Sequence, residues 1–171
     1  MPEGSEDATI LIAISWQSLI RAKSGDEHAM ICDCIVVVVF AGFFIEANLN
    51  HILEKMGKIE EMNRFLGNHY PGLQDKLAWF YNCYIAKSKS NNKKQLYQKL
   101  RRKFPGFNEI YQFRNNISHG IIDSSVANLK DAERLRIQAK TIVDELFKIA
   151  NRAGYAIPRT TTYRDVITND R

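Results

Sequence analysis

Apolar side chains recur at helical three-to-four spacing along almost the whole chain, and no stretch alternates as a strand on a half-buried sheet would. Over residues 8–23, Ile10, Ile14, Trp16, Leu19 and Ile20 mark a first helix. Gly25 breaks it, and Asp26 is a natural N-cap for a second helix. From Asp26 to about Gly57 there is neither proline nor a turn cluster, which predicts one long helix. The cluster GNHYPG at 67–72 is the clearest break in the first half, and residues 73–87 form the next helix, with Leu77, Phe80, Tyr81 and Tyr84 on one side. SKSNN at 88–92 reads as a polar loop. A basic helix over 93–103, a Pro105-Gly106 break and a helix over 107–118 come next, with Gly120 as the C′ residue that stops the last of these. The final long helix spans 128–151, its stripe made of Leu129, Leu135, Ile142, Leu146 and Ile149, and Gly154 and Pro158 end it. Residues 154–171 form a polar tail. The sum is five to seven helices and no sheet: an all-α helical bundle with four to five core helices plus short ones, in one domain over 1–171 with its core at about 8–153.

Two other readings compete for the second helix. IVVVVF at 35–40 has the composition of a strand, but nothing elsewhere in the chain is comparable and could pair with it. Residues 29–45 are apolar except for Asp33, close to the length of a membrane span. Asp33 near the start, Glu46 at the end and the lack of basic anchors speak against insertion. A central bundle helix explains the run better, and no membrane partner is expected.

Composition narrows the class. The chain has 171 residues, 45% hydrophobic and 25% charged, with few Gly and Pro, which excludes a disordered, collagenous or repeat-array protein. Three cysteines, Cys32, Cys34 and Cys83, give neither a disulfide framework nor zinc-finger spacing and are expected to be small core residues. The first ten residues hold three acids and no base, so no targeting segment is read there, and a reducing cytoplasm is the expected compartment.

The net charge of +5 conceals an asymmetry. Residues 1–86 carry six Lys or Arg against eleven Asp or Glu, a net of −5; residues 87–171 carry eighteen against eight, a net of +10. The sharpest part is KSKSNNKKQLYQKLRRK at 87–103, with eight bases and no acid. Such a run attracts polyanions, because neutralised phosphates release counterions. Lys93, Lys94, Lys99, Arg101, Arg102 and Lys103 are therefore candidate nucleic-acid contacts, against the alternative of a solvated helix face. Tyr81, Tyr84, Tyr97 and Tyr111 flank this region; packing is the expected role, and stacking on bases the alternative. His28 and His51 are expected to be exposed or capping.

Phosphate-loop, dinucleotide, nucleophile-elbow, HExxH and EF-hand patterns are missing, and no carboxylate or His/Cys set suggests a metal or another cofactor. What stands out is FRNNISHG at 113–120, which puts Arg114, Asn115, Ser118 and His119 on the last turns of a short helix. Arg offers a permanent planar cation suited to phosphate, and His titrates near neutrality, a pairing suited to phosphodiester chemistry. At 100° per residue Asn115 and His119 share a face, whereas Arg114 and His119 diverge by about 140°, so that Arg114 must curl around or the helix must loosen before Gly120 for the two to act together.

RNNISH, late in a small all-helical chain, resembles the Arg-x4-His motif of the HEPN family, the higher eukaryote and prokaryote nucleotide-binding domains. AGFFIEANLNHIL at 41–53 is similar to that family's second core helix, with Glu46 as its acidic residue and Asn50 as the polar residue a turn later. LQDKLAWFY at 73–81 looks like the segment after it. The resemblance implies a bundle that dimerises with two motifs facing one cleft, and a metal-independent endoribonuclease: a toxin of a toxin-antitoxin pair, a phage-defence effector or an RNA-processing factor. It implies that Arg114 binds the scissile phosphate, that His119 acts as general base on the ribose 2′-OH or as acid on the leaving oxygen, and that Asn115 orients either. Glu46 is implied as a partner holding the arginine, and an antitoxin or nucleotidyltransferase as a further partner. Members silenced by adenylylation carry a tyrosine two places after the histidine; Ile121 stands there, which speaks against that mode. The alternative is a non-catalytic helical dimerisation or nucleotide-binding scaffold.

Overall fold

The hydrophobic stripes assemble around α2, the long second helix. The computed structural model describes residues 4–86, 93–119 and 128–158, with the side chains of residues 4–7, 9, 28, 93 and 118 excepted. Among the described residues the elements are α1 (Gly4–Ser24), α2 (Glu27–Lys55), α3 (Ile59–Leu66), α4 (Leu73–Tyr81) continuing into a π-helical turn (Asn82–Ala86), α5 (Lys93–Lys103), α6 (Pro105–Ser118) and α7 (Leu129–Arg152). No strand occurs among them, and the protein is an all-α helical bundle.

Asp26 caps α2 as its position predicts, its carboxylate accepting from the Ala29 amide at 2.8 Å. Asn128 caps α7 in the same way through the Asp131 amide at 2.9 Å. From Cys34 onward α2 buries Val37, Val38, Ala41, Phe44, Ile45, Leu49, Ile52 and Leu53, a broad stripe at helical spacing packed on α1, α6 and α7. It is not buried all round. Val36 and Phe40 are half-buried and Phe43 is exposed, so an apolar strip stays on its outer side. By length and composition Ala29–Lys55 would suffice to cross a membrane, with 44% of its most apolar window buried inside the bundle. Asp33, the charge inside its apolar run, is engaged by Arg21 of α1 at 2.6 Å.

α1 packs on α2 through a side different from the one its large apolar residues suggest. Ala8, Ile12, Ser15, Leu19 and Ala22 are buried, Ile14 and Trp16 are half-buried, and Ile10 and Ile20 face outward. Small residues win the contact because they let two helices approach closely, and the Ser15 hydroxyl donates to the Val37 carbonyl at 3.0 Å across the seam.

Four further expectations are corrected. An eight-residue helix, α3, occupies a segment with no predicted element; it buries Met62 and ends at Gly67, whose φ of 62° is left-handed. Pro105 does not break the chain but opens α6, where its missing N–H and fixed φ are tolerated. His51 is buried, because it lies on the core side of α2 beside Asn48, one turn earlier. Cys34 is a core residue and Cys83 half-buried, but Cys32 lies on the outer face of α2 and is exposed. Tyr84 packs edge-on against Trp79 and Tyr155, and Tyr111 stacks on Phe107, in line with packing roles. The loop at 88–92, Gly120, Ile121, the His28 side chain and the tail beyond 158 lie outside the described residues.

Candidate functional site

Arg114 projects from the second half of α6 onto the outer flank of α2. Its guanidinium donates to Glu46 Oε2 at 2.7 Å and lies 4.4 Å from the centroid of the Phe43 ring, a cation–π contact. Phe43 in turn meets Phe40 edge-on at 5.8 Å. The approach is close because position 42 has no side chain: a Cβ there would stand 3.3 Å from both Arg114 Cδ and Ile110 Cγ2. Glu46 is divided between two cations. Its other oxygen, Oε1, accepts from Lys76 Nζ of α4 at 3.2 Å, and Lys76 also donates to Asn50 Oδ1 at 2.9 Å.

The result is a chain of groups, exposed Asn50 and half-buried Lys76, Glu46 and Arg114, joining α2, α4 and α6. Burial pushes the Glu46 carboxyl up, but the Arg114 hydrogen bond and the charges of Lys76 and Arg114 outweigh it and hold the group below its ordinary range. The carboxylate cancels one of the two cations, so the cluster keeps a net charge of +1 and unused N–H donors, which suits an anion such as a phosphate.

The remaining site candidates are spread over α5 and the end of α6. His119 is the C-cap of α6, exposed, its backbone N–H donating to the carbonyls of Asn115 and Asn116, each at 3.1 Å. Among the described residues no hydrogen bond joins it to Arg114, whose guanidinium goes to Glu46. Asn115 is half-buried on α6 and engaged. Ser118 ends that helix, and its side chain, like that of Lys93 at the start of α5, lies outside the described residues. Lys94, Lys99, Arg101 and Arg102 cover the exposed side of α5, opposite buried Leu96 and Leu100. Lys103 is drawn to Glu145 of α7 at 3.3 Å. Tyr97 anchors α5 to the start of α4 by donating to Asp75, and burial together with Asp75 pushes the Tyr97 phenol up.

The structure thus brings Glu46 to Arg114; among the described residues no hydrogen bond or ion pair ties His119 or the basic side chains of α5 to them. Sequence reasoning missed Lys76 and Phe43. A signal existed for the first: Lys76 is the only Lys or Arg between Arg64 and Lys87, in a segment otherwise short of cations. Among the described residues no group of three or more His, Cys, Asp or Glu side chains is placed to hold a metal ion. No protein-family model matches the chain, and no curated protein or solved structure matches it either.

Proposed function

We propose that the protein is a metal-independent endoribonuclease of the HEPN type, acting as a toxin of a toxin-antitoxin pair or a phage-defence effector. The observation that carries the reading is the 2.7 Å pairing of Arg114 with Glu46, which holds a guanidinium of the kind that suits a phosphate on the helix that ends in an exposed His119. In this reading Arg114 takes a non-bridging oxygen of the scissile phosphate and stabilises the charge that builds there. His119 accepts the proton of the ribose 2′-OH as that oxygen attacks phosphorus. The bond to the 5′ oxygen breaks, that oxygen takes a proton from solvent, and the products are a 2′,3′-cyclic phosphate and a 5′-hydroxyl. The lack of a hydrogen bond between His119 and Arg114 among the described residues fits a homodimer in which two copies line one cleft, and the apolar strip of α2 ending at Phe43 beside Arg114 offers a face for it.

That same lack of contact also favours a second reading, a helical scaffold that binds RNA or nucleotide without turning it over. Incubating a mixed RNA pool with the purified protein in EDTA, beside His119→Ala and Arg114→Ala, separates the two. The nuclease reading expects cyclic-phosphate ends from the unmutated protein and at least a hundredfold less from either variant, in line with the roughly 10²-fold or larger effects of such groups. Binding without cleavage by all three proteins establishes the scaffold, and cleavage that needs a divalent metal overturns the mechanism.

A further inference from the structure

Glu46, though not Arg114, lines a cavity of about 420 Å³ formed by the second half of α2, by α3 and by the turn and first residues of α4. Its volume falls within the roughly 300–1,000 Å³ of small-molecule clefts. One wall is the cluster already described: Glu46, Asn50 and Lys76 line the cavity. Of the three Lys76 ammonium protons, two are directed to Glu46 and Asn50, which leaves one for a ligand.

Three more features give the cavity a chemical character. Asn63 also lines the cavity; its Oδ1 is buried in the wall without a hydrogen-bond partner, a costly state, and the amide must turn about its terminal bond for that oxygen to meet an incoming N–H. Asn50 spends its carbonyl oxygen on Lys76 and has its amide N–H groups to offer, so one acceptor and one set of donors stand on the same cavity. Tyr70, on the rim, is 91% exposed, and its loop is fixed by an Asx turn in which the Tyr70 amide donates to Asn68 Oδ1 at 2.9 Å. An exposed aromatic face, an amide donor and acceptor, and a cation are the groups by which a splayed-out nucleotide is held: ring on ring, polar edge on amides, phosphate on ammonium.

We infer that this cavity is a subsite for one ribonucleotide of the RNA strand, adjacent to the nucleotide whose phosphodiester Arg114 holds. The inference rests on the ribonuclease reading for its placement of the scissile bond. The base stacks on Tyr70 and meets Asn50 and Asn63. Its phosphate lies on Lys76, which is fixed relative to Arg114 because both cations share the Glu46 carboxylate. The subsite thereby sets which base stands next to the cut.

The test titrates each of the four ribonucleoside 5′-monophosphates, in EDTA, into isotope-labelled protein observed by NMR. The expected result is saturable, millimolar binding with amide shifts concentrated at Asn50, Asn63, Tyr70 and Lys76, and with one base favoured. Tyr70→Ala, which removes an exposed ring that supports no core, weakens it about five- to hundredfold. Lys76→Gln weakens nucleotide but leaves the free nucleoside unaffected. Shifts confined to α5, or none at all, overturn the subsite whatever the cleavage assay gives. Binding at the cavity by a protein that cuts no RNA keeps the subsite and removes the nuclease. Cleavage whose sequence context is unchanged in Tyr70→Ala removes the subsite and keeps the nuclease.

Discussion

Glu46 is the residue on which the candidate site turns, because its two oxygens serve cations from two other helices. Removing its charge by Glu46→Gln leaves Arg114 and Lys76 facing each other without an anion. We expect this to cost about 1–2 kcal/mol at neutral pH, between the values of exposed and fully buried pairs. The pH dependence comes from the lowered carboxyl pKa. The folded state favours the ionised form, so the stabilisation is complete above the unfolded-state value of about 4.3 and is lost as pH falls through the lower folded-state value. Urea unfolding at a series of acidic pH values should therefore show a shallower decline for Glu46→Gln than for the unmutated protein; parallel declines would mean that Glu46 is not the acid-sensitive group. This pairing also marks how far single residues were legible. Glu46 and Arg114 stood out in the sequence through the company they keep in AGFFIEANLNHIL and FRNNISHG. Lys76 and Phe43 did not, because a contact spanning 30 or 71 residues depends on how each helix is rotated about its axis. His51 was misread for the same reason, since a polar side chain on an apolar helix is placed by the partners it meets.

At the scale of the element, the position of α6 fixes Arg114, and two glycines set that position. Gly42 admits the Arg114 stem, and Gly106 lets the first turn of α6 lie against α7. A Cβ added at Gly106 would fall 1.7 Å from Gln138 Oε1 and 2.9 Å from Gln138 Cβ. The amide end can swing aside, but the Gln138 Cβ moves only with α7, so the two helices must separate. Gly106→Ala is expected to cost about 1–3 kcal/mol in chemical unfolding, with Gln138→Ala recovering part of it. A neutral or stabilising Gly106→Ala would show that the first turn of α6 is not wedged against α7. Helix periodicity, the Asp26 cap and the stripe of α7 were legible because they depend on local sequence alone. The side that α1 buries was not: Ile10 and Ile20 promise more hydrophobic area, but close approach to α2 rewards Ala8, Ser15 and Ala22. The start of α6 was misplaced by treating Pro105 as punctuation, although proline is at home in a first turn.

Across the whole molecule the charge is unevenly apportioned, and the fold keeps it so. The acidic half of the chain supplies α1 to α4, yet its Glu46 is spent within the candidate site and its Asp33 on Arg21. In the basic half, Lys103 is paired with Glu145 and Arg134 with Glu109, whereas Lys94, Lys99, Arg101 and Arg102 stay exposed on α5. If RNA is the partner, those four cations supply the long-range attraction, while the Arg114 cluster supplies position. The two contributions separate by salt. Counterion release from four phosphates on a single strand gives a log–log slope of affinity against salt of about −3. Reversing two charges through Arg101→Glu and Arg102→Glu should flatten the slope by more than about one and slow association, leaving the product ends of any cleavage unchanged. Arg114→Ala should do the opposite, abolishing cleavage with little change in slope. A slope near zero for the unmutated protein would show that the basic face of α5 is a solubilising surface that does not meet nucleic acid.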